Sequence, residues 1–138
     1  MRGFSLLIGL CVGNVAFGQS LALKDLTGAY TVKEFERDGT AVPDKVKDSV
    51  TALTIKDGKL SISMGKTELT ATIKVETSRT PAEMDLFPLN ADFDKGRKFP
   101  GVYKWEKDTL TIHYIEDGAR PKDFTGGKGS TKLVLVKK

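Results

Sequence analysis

Few side chains in this 138-residue sequence could do covalent or acid–base chemistry, which has one histidine, His113, and one cysteine, Cys11. A hydrolytic triad needs a nucleophile, a base held against it and an acid that orients the base. His113 lies in the run Thr109-Leu110-Thr111-Ile112-His113-Tyr114-Ile115. Alternation places Leu110, Ile112 and Tyr114 on one face and Thr111, His113 and Ile115 on the other, so a solvent-facing histidine is expected. No G-x-S-x-G nucleophile elbow occurs, and one imidazole is too few for the usual zinc and copper ligand sets. On these grounds no catalytic residue, metal site or cofactor is expected.

Three further patterns imitate chemistry. Glu34 and Glu36, and likewise Glu83 and Asp85, stand two apart on expected strands and would share a face. A glycosidase needs such a pair across a sugar cleft with one acid buried, and nothing in the sequence supplies the cleft. Gly126-Gly127-Lys128-Gly129-Ser130-Thr131 resembles a phosphate loop, but a strand follows it in place of the helix whose N-terminus would hold the phosphate. Asp92-Phe93-Asp94-Lys95-Gly96 begins like a calcium loop. Its glycine comes one residue early, and Tyr103 stands where the bidentate glutamate belongs.

The N-terminus has the layout of a secretory leader: Arg2 in a short positive start, an apolar run from Phe4 to Phe17, and small residues at Ala16 and Gly18. The run is about 14 residues against the roughly 20 that span a bilayer. A signal peptide over residues 1–18 is therefore expected, with one domain over 19–138 exported to the periplasm or the medium and no stable membrane span. Leu10 in front of Cys11 argues against lipidation. Cleavage removes the only thiol, which excludes disulfides and cysteine chemistry from the mature domain. It also removes one positive charge from a formal net of +4. The rest is interspersed, as on a solvated surface, and no nucleic-acid partner is expected.

The mature segment is organised by period-2 alternation broken by turn residues. Val50–Lys56 and Lys59–Met64 flank Asp57-Gly58, a pair suited to a two-residue hairpin, and Gly65-Lys66 leads into Leu69–Val75. Further strands are expected at about Thr27–Arg37, Ala82–Phe87, Lys98–Trp105, Thr109–Ile115 and Thr131–Lys137, with one short helix at Pro43–Ser49, where proline fits the first turn. About eight short antiparallel strands imply an all-β fold, an up-and-down barrel or a sandwich.

Several strings recur in a characteristic order: Leu26-Thr27-Gly28-Ala29-Tyr30, Glu36-Arg37-Asp38-Gly39, Leu53-Thr54-Ile55, Met84-Asp85-Leu86, Pro100-Gly101-Val102-Tyr103, Asp108-Thr109-Leu110 and Arg120-Pro121-Lys122-Asp123-Phe124. In these the chain resembles a lipocalin-like domain of unknown function found in many copies in planctomycete bacteria. The resemblance implies a small up-and-down antiparallel barrel, often exported, with no established activity. The opening Gly28-Ala29-Tyr30 departs from lipocalin-type barrels, which usually carry tryptophan there. A barrel this small can also fill its interior with side chains.

Alternation then assigns an inward set: Tyr30, Val32 and Glu34; Leu60, Ile62 and Met64; Leu69, Ala71 and Ile73; Tyr103 and Trp105; Leu110, Ile112 and Tyr114. Glu34 is the odd member, because a carboxylate on an apolar face needs a partner. Tyr30, Glu34, Tyr103, Trp105 and Tyr114 are the candidate ligand-binding residues of a non-catalytic binding module. The expected ligand is a small apolar or amphipathic molecule. The alternative is a structural or protein-interaction domain of the cell envelope with a filled core, whose partner would be another envelope protein; on either reading a monomer is expected.

Overall fold

In a computed structural model the described residues are 21–90, 96–116 and 118–138. The expected leader with Cys11, and the Asp92–Lys95 part of the calcium-like loop, lie outside them. A 3-10 turn at Leu23–Leu26 precedes β1 (Gly28–Arg37), a two-residue β2 (Thr40–Ala41) and a helical turn α1 (Asp44–Asp48). Then follow β3 (Val50–Lys56), β4 (Lys59–Met64), β5 (Thr67–Glu76), β6 (Ala82–Pro88), β7 (Phe99–Glu106), β8 (Thr109–Ile115) and β9 (Ser130–Lys137). Each strand from β3 to β9 pairs antiparallel with the next, β1 pairs with β3, and β9 closes on β1, giving a barrel of eight strands with β2 appended to β1. The up-and-down barrel, one of the two architectures the alternation allowed, is the one formed.

The turns follow from local chemistry. Asp57 and Gly58 both take positive φ, at 53° and 75°, the geometry whose twist matches the strands it joins. Lys107 and Asp108 close the β7–β8 hairpin in the same left-handed region without a glycine, at 46° and 64°. Gly101 on β7 is required for a different reason. A Cβ there would lie 2.7 Å from the His113 carbonyl oxygen and 2.8 Å from the Tyr114 Cβ, so only glycine lets β7 approach β8 this closely.

One end of the barrel is sealed. Leu26 is fully buried, and Leu21 and Leu23 pack against the core. The Tyr30 hydroxyl donates to the Leu26 carbonyl and the Tyr103 hydroxyl to the Leu21 carbonyl, both at 2.5 Å. These two bonds give the buried phenols the partners that burial demands while pinning the plug. At the other end sit the C-terminal half of β1, the start of β3, the end of β4 and the starts of β5 and β9, with α1 beside them.

The register holds one irregularity that changes the reading of β1. Leu133 faces Phe35, Val134 faces Glu34, and Leu135 faces Val32, so β1 takes an extra residue there. A bulge of this kind inverts the alternation beyond it. Tyr30 and Val32 point inward as expected, but Phe35 takes the next inward position and Glu34 is turned out with Val134, exposed on the outer wall. The expected inward Glu34 is thus corrected: the bulge disposes of the carboxylate and leaves the core formed by the described residues without a charge.

Candidate functional site

The five candidate residues do not meet in one cavity. Tyr30 and Tyr103 are part of the sealed end, and Trp105 is half-buried there, with the Lys137 ammonium 5.9 Å from its ring. Burial pushes the phenols of Tyr30 and Tyr103 up to about 12, as expected for groups packed away from water. Glu34 lies on the outside. Tyr114 alone reaches the open end, stacked on Phe99 at 5.8 Å between ring centres and 2° between planes. Its phenol is also raised to about 12, chiefly by burial, with a hydrogen bond to Thr131 acting in the opposite sense.

The open end holds a cleft of about 130 Å³ that runs down into the barrel. Its walls are Val32, Phe35, Val50, Leu53, Ile62, Met64, Leu69, Tyr114 and Leu133, with Val46 of α1 at the edge. Strands β4, β8 and β9 contribute by the simple period of 2, β5 contributes Leu69, and β1 and β3 contribute across their bulges, with Val32 and Phe35, and Val50 and Leu53, three positions apart. Phe35 reaches it only because of the β1 bulge, and sequence alternation alone missed it. A hydrophobic residue out of phase with its strand, next to a charged one in phase, was the available signal. The rim is polar: Arg37 Nη2 approaches Glu116 Oε2 at 3.5 Å, and the Arg97 guanidinium donates to the Glu116 carbonyl.

A second polar assembly lies outside the barrel. Residues 118–129, ahead of β9, fold back as a strap over β6, β7 and β8. Arg120 donates to the Gly101 carbonyl at 2.9 Å, lies 2.6 Å from Asp85 Oδ1 and places its Nε 3.7 Å from Glu83. Asp85 Oδ1 is shielded from solvent and makes no hydrogen bond of good angle, so its partner is the Arg120 charge at 2.6 Å. The carboxylate pair Glu83 and Asp85 therefore anchors an arginine, and of the two Glu83 also lines an open surface hollow with Arg79, Val102 and Lys122. Lys104 lies 4.9 Å over the Phe124 ring, and Lys132 pairs with Glu36 at 3.5 Å.

The strap also overturns the expected exposure of His113. The residue does face away from the core, as alternation requires, but the strap roofs it and leaves it 3% exposed. Its Nδ1 lies 2.7 Å from the Asp123 carbonyl oxygen, which can only accept, so Nδ1 carries the proton. Nε2 is buried without a hydrogen-bond partner. Among the described residues the one hydrogen-bond partner of this imidazole is the Asp123 backbone carbonyl, so the geometry gives it the role of a strap support. Three of the strings that carried the resemblance, those around Asp85, Gly101 and Arg120, converge on the strap.

Among the described residues no three histidine, cysteine, aspartate or glutamate side chains are grouped to hold a metal ion. No helix among them is long and apolar enough to cross a membrane. These features define the class: a closed, eight-stranded antiparallel barrel, filled at one end and open through a small apolar cleft at the other. Comparison with protein-family models, curated proteins and solved structures returns no match.

Proposed function

We propose that this chain is an exported, non-catalytic binding module of lipocalin-like type that takes a small apolar or amphipathic ligand at the open end of its barrel. The observation that carries the reading is the apolar cleft under a charged rim. Ligand sites combine apolar walls with a few polar groups that orient the ligand. Their usual volume is roughly 300–1,000 Å³, and this cleft, at about 130 Å³, is smaller. It matches a group the size of benzene, which occupies aliphatic cavities of roughly 150 Å³. The ligand is accordingly small, or only its apolar tip enters.

The test is a titration of the leaderless protein with 1-hexanol, followed by NMR through the methyl groups of Val32, Met64, Leu69 and Leu133. Saturable shifts confined to these, with Ile55, Leu60 and Leu110 at the sealed end unmoved, are the expected result. Absence of any saturable shift overturns the reading. Trp105 fluorescence is a poor reporter, since the indole lies at the opposite end. Export is tested by expressing the full sequence in a bacterial host and weighing the product, which should begin near Gln19 and lie outside the cytoplasm.

The second reading, an interaction domain with a filled core, is favoured by one observation: the two plug-bonded tyrosines leave no room at the sealed end. It prevails if hexanol fails to bind.

A further inference from the structure

The barrel wall is incomplete between β1 and β3. Their ladder comprises Gly28–Ile55, Ala29–Thr54 and Tyr30–Leu53 and goes no further. Both strands are bulged just beyond that point, β1 between Val32 and Glu34 and β3 between Val50 and Ala52. Bulges bend the strand that carries them and end pairing, and two facing bulges part the strands into a seam. A hollow of about 200 Å³, open to solvent on its outer side, lies along the seam, and Val32, Val50 and Leu53 line both this space and the cleft at the open end. The two spaces are thus separated by aliphatic side chains and by no hydrogen-bonded backbone.

The chemistry of the seam differs from that of the cleft. The Lys138 amide donates to the Ala29 carbonyl at 2.9 Å, so the Ala29 peptide groups face β9. Peptide groups alternate sides along a strand, which turns those of Tyr30 and Val32 toward β3. Tyr30 spends its own on Leu53, and the Val32 N–H points into the seam beyond the last ladder pair. Lys47 and Lys138 also line it, with Asp48 as the one acidic side chain. Lys47 is 31% exposed and has Asp44 at 4.0 Å, on the solvent side of α1.

We propose that the seam is the head-group subsite for an anionic amphiphile, a straight-chain carboxylate. The Val32 N–H and the Lys47 ammonium hold the carboxylate, and the chain passes between Val32 and Val50 into the cleft. The cleft's volume sets the chain at about six carbons, the count of the benzene that fills a comparable space. This assignment rests on the binding reading above and adds to it the ligand class and a side entrance, through the wall and not through the open end.

The experiment compares hexanoate with 1-hexanol on the leaderless protein and on its Lys47→Glu variant, by NMR titration. Lys47 lies on a surface turn, and circular dichroism confirms that the variant is folded. Hexanoate should shift the amides of Thr31–Lys33 as well as the cleft methyls, and Lys47→Glu should weaken it about five-fold, the scale of a partly exposed charge pair reversed. Hexanol should shift the cleft methyls alone and bind both proteins equally. If hexanoate leaves the Thr31–Lys33 amides unmoved and is indifferent to Lys47→Glu, the seam assignment is overturned while the cleft reading stands. If neither compound moves the cleft methyls, both fall.

Discussion

Replacing Arg120 by methionine keeps the length and apolar stem of the side chain and removes its charge. The loss can be built up from the contacts. The guanidinium bond to the Gly101 carbonyl is charge-assisted, a type that contributes about 1.5–3 kcal/mol. The Asp85 carboxylate is left with its shielded Oδ1 uncompensated. In a fully buried pair that would cost about 3–5 kcal/mol. The Arg120 and Asp85 side chains are 25% and 23% exposed, however, so water recovers most of it and about 1 kcal/mol remains. The terms share one side chain and do not add fully, so about 2–3 kcal/mol is expected for Arg120→Met. A domain of this size loses roughly 4 °C in Tm per kcal/mol, which gives a fall of about 10 °C. Urea unfolding supplies the free energy, and Arg37→Met supplies the internal control. Its pair with Glu116, 3.5 Å apart with side chains 58% and 32% exposed, should count for less than about 0.5 kcal/mol. In the folded Arg120→Met variant the strap should lift often enough for His113 to react with an imidazole-acylating reagent that leaves it untouched in the parent. The reasoning is refuted if Arg120→Met costs no more than Arg37→Met.

The bulge in β1 makes two neighbours behave oppositely: Glu34→Ala should change stability by less than about 0.5 kcal/mol, whereas Phe35→Ala, cutting a half-buried ring from the cleft wall, should cost about 2 kcal/mol in the same urea assay. Gly101→Ala should destabilise by about 1–3 kcal/mol, because the new methyl meets backbone atoms of β8 that cannot swing aside; thermal unfolding measures it. All three tyrosines of the chain are buried with phenols raised to about 12. The folded state therefore holds protons that the unfolded chain, ionising near 10, gives up. Their contribution is intact below pH 10 and is lost as the pH climbs from 10 to 12, by up to about 1.4 kcal/mol per unit and group. Tyrosinate absorbance should stay flat through pH 10 and rise together with unfolding; a tyrosine titrating near 10 in the folded protein would contradict this.

The period of 2 could be read from the sequence wherever a strand keeps an unbroken pleat. Leu60, Ile62 and Met64 on β4, and Leu110, Ile112 and Tyr114 on β8, all face the interior as alternation requires, and Asp57-Gly58 makes the hairpin its chemistry favours. Glu34 and His113 show where such reading stops, for two distinct reasons. At Glu34 the strand itself is irregular, and one extra residue, set by pairing with a strand about a hundred positions away, reverses every assignment after it. At His113 the strand is regular and its face was read correctly, but exposure depends on a loop that alternation does not describe. The strap becomes intelligible only when Arg120 is seen between Glu83 and Asp85. Both failures bear on function. The first gives the cleft Phe35 and opens the seam beside it, and the second turns the sole imidazole from an expected solvent-facing residue into a support for the strap. The wall is thus interrupted where the regular pattern breaks, at the paired bulges of β1 and β3, because a continuous ladder there would have closed it.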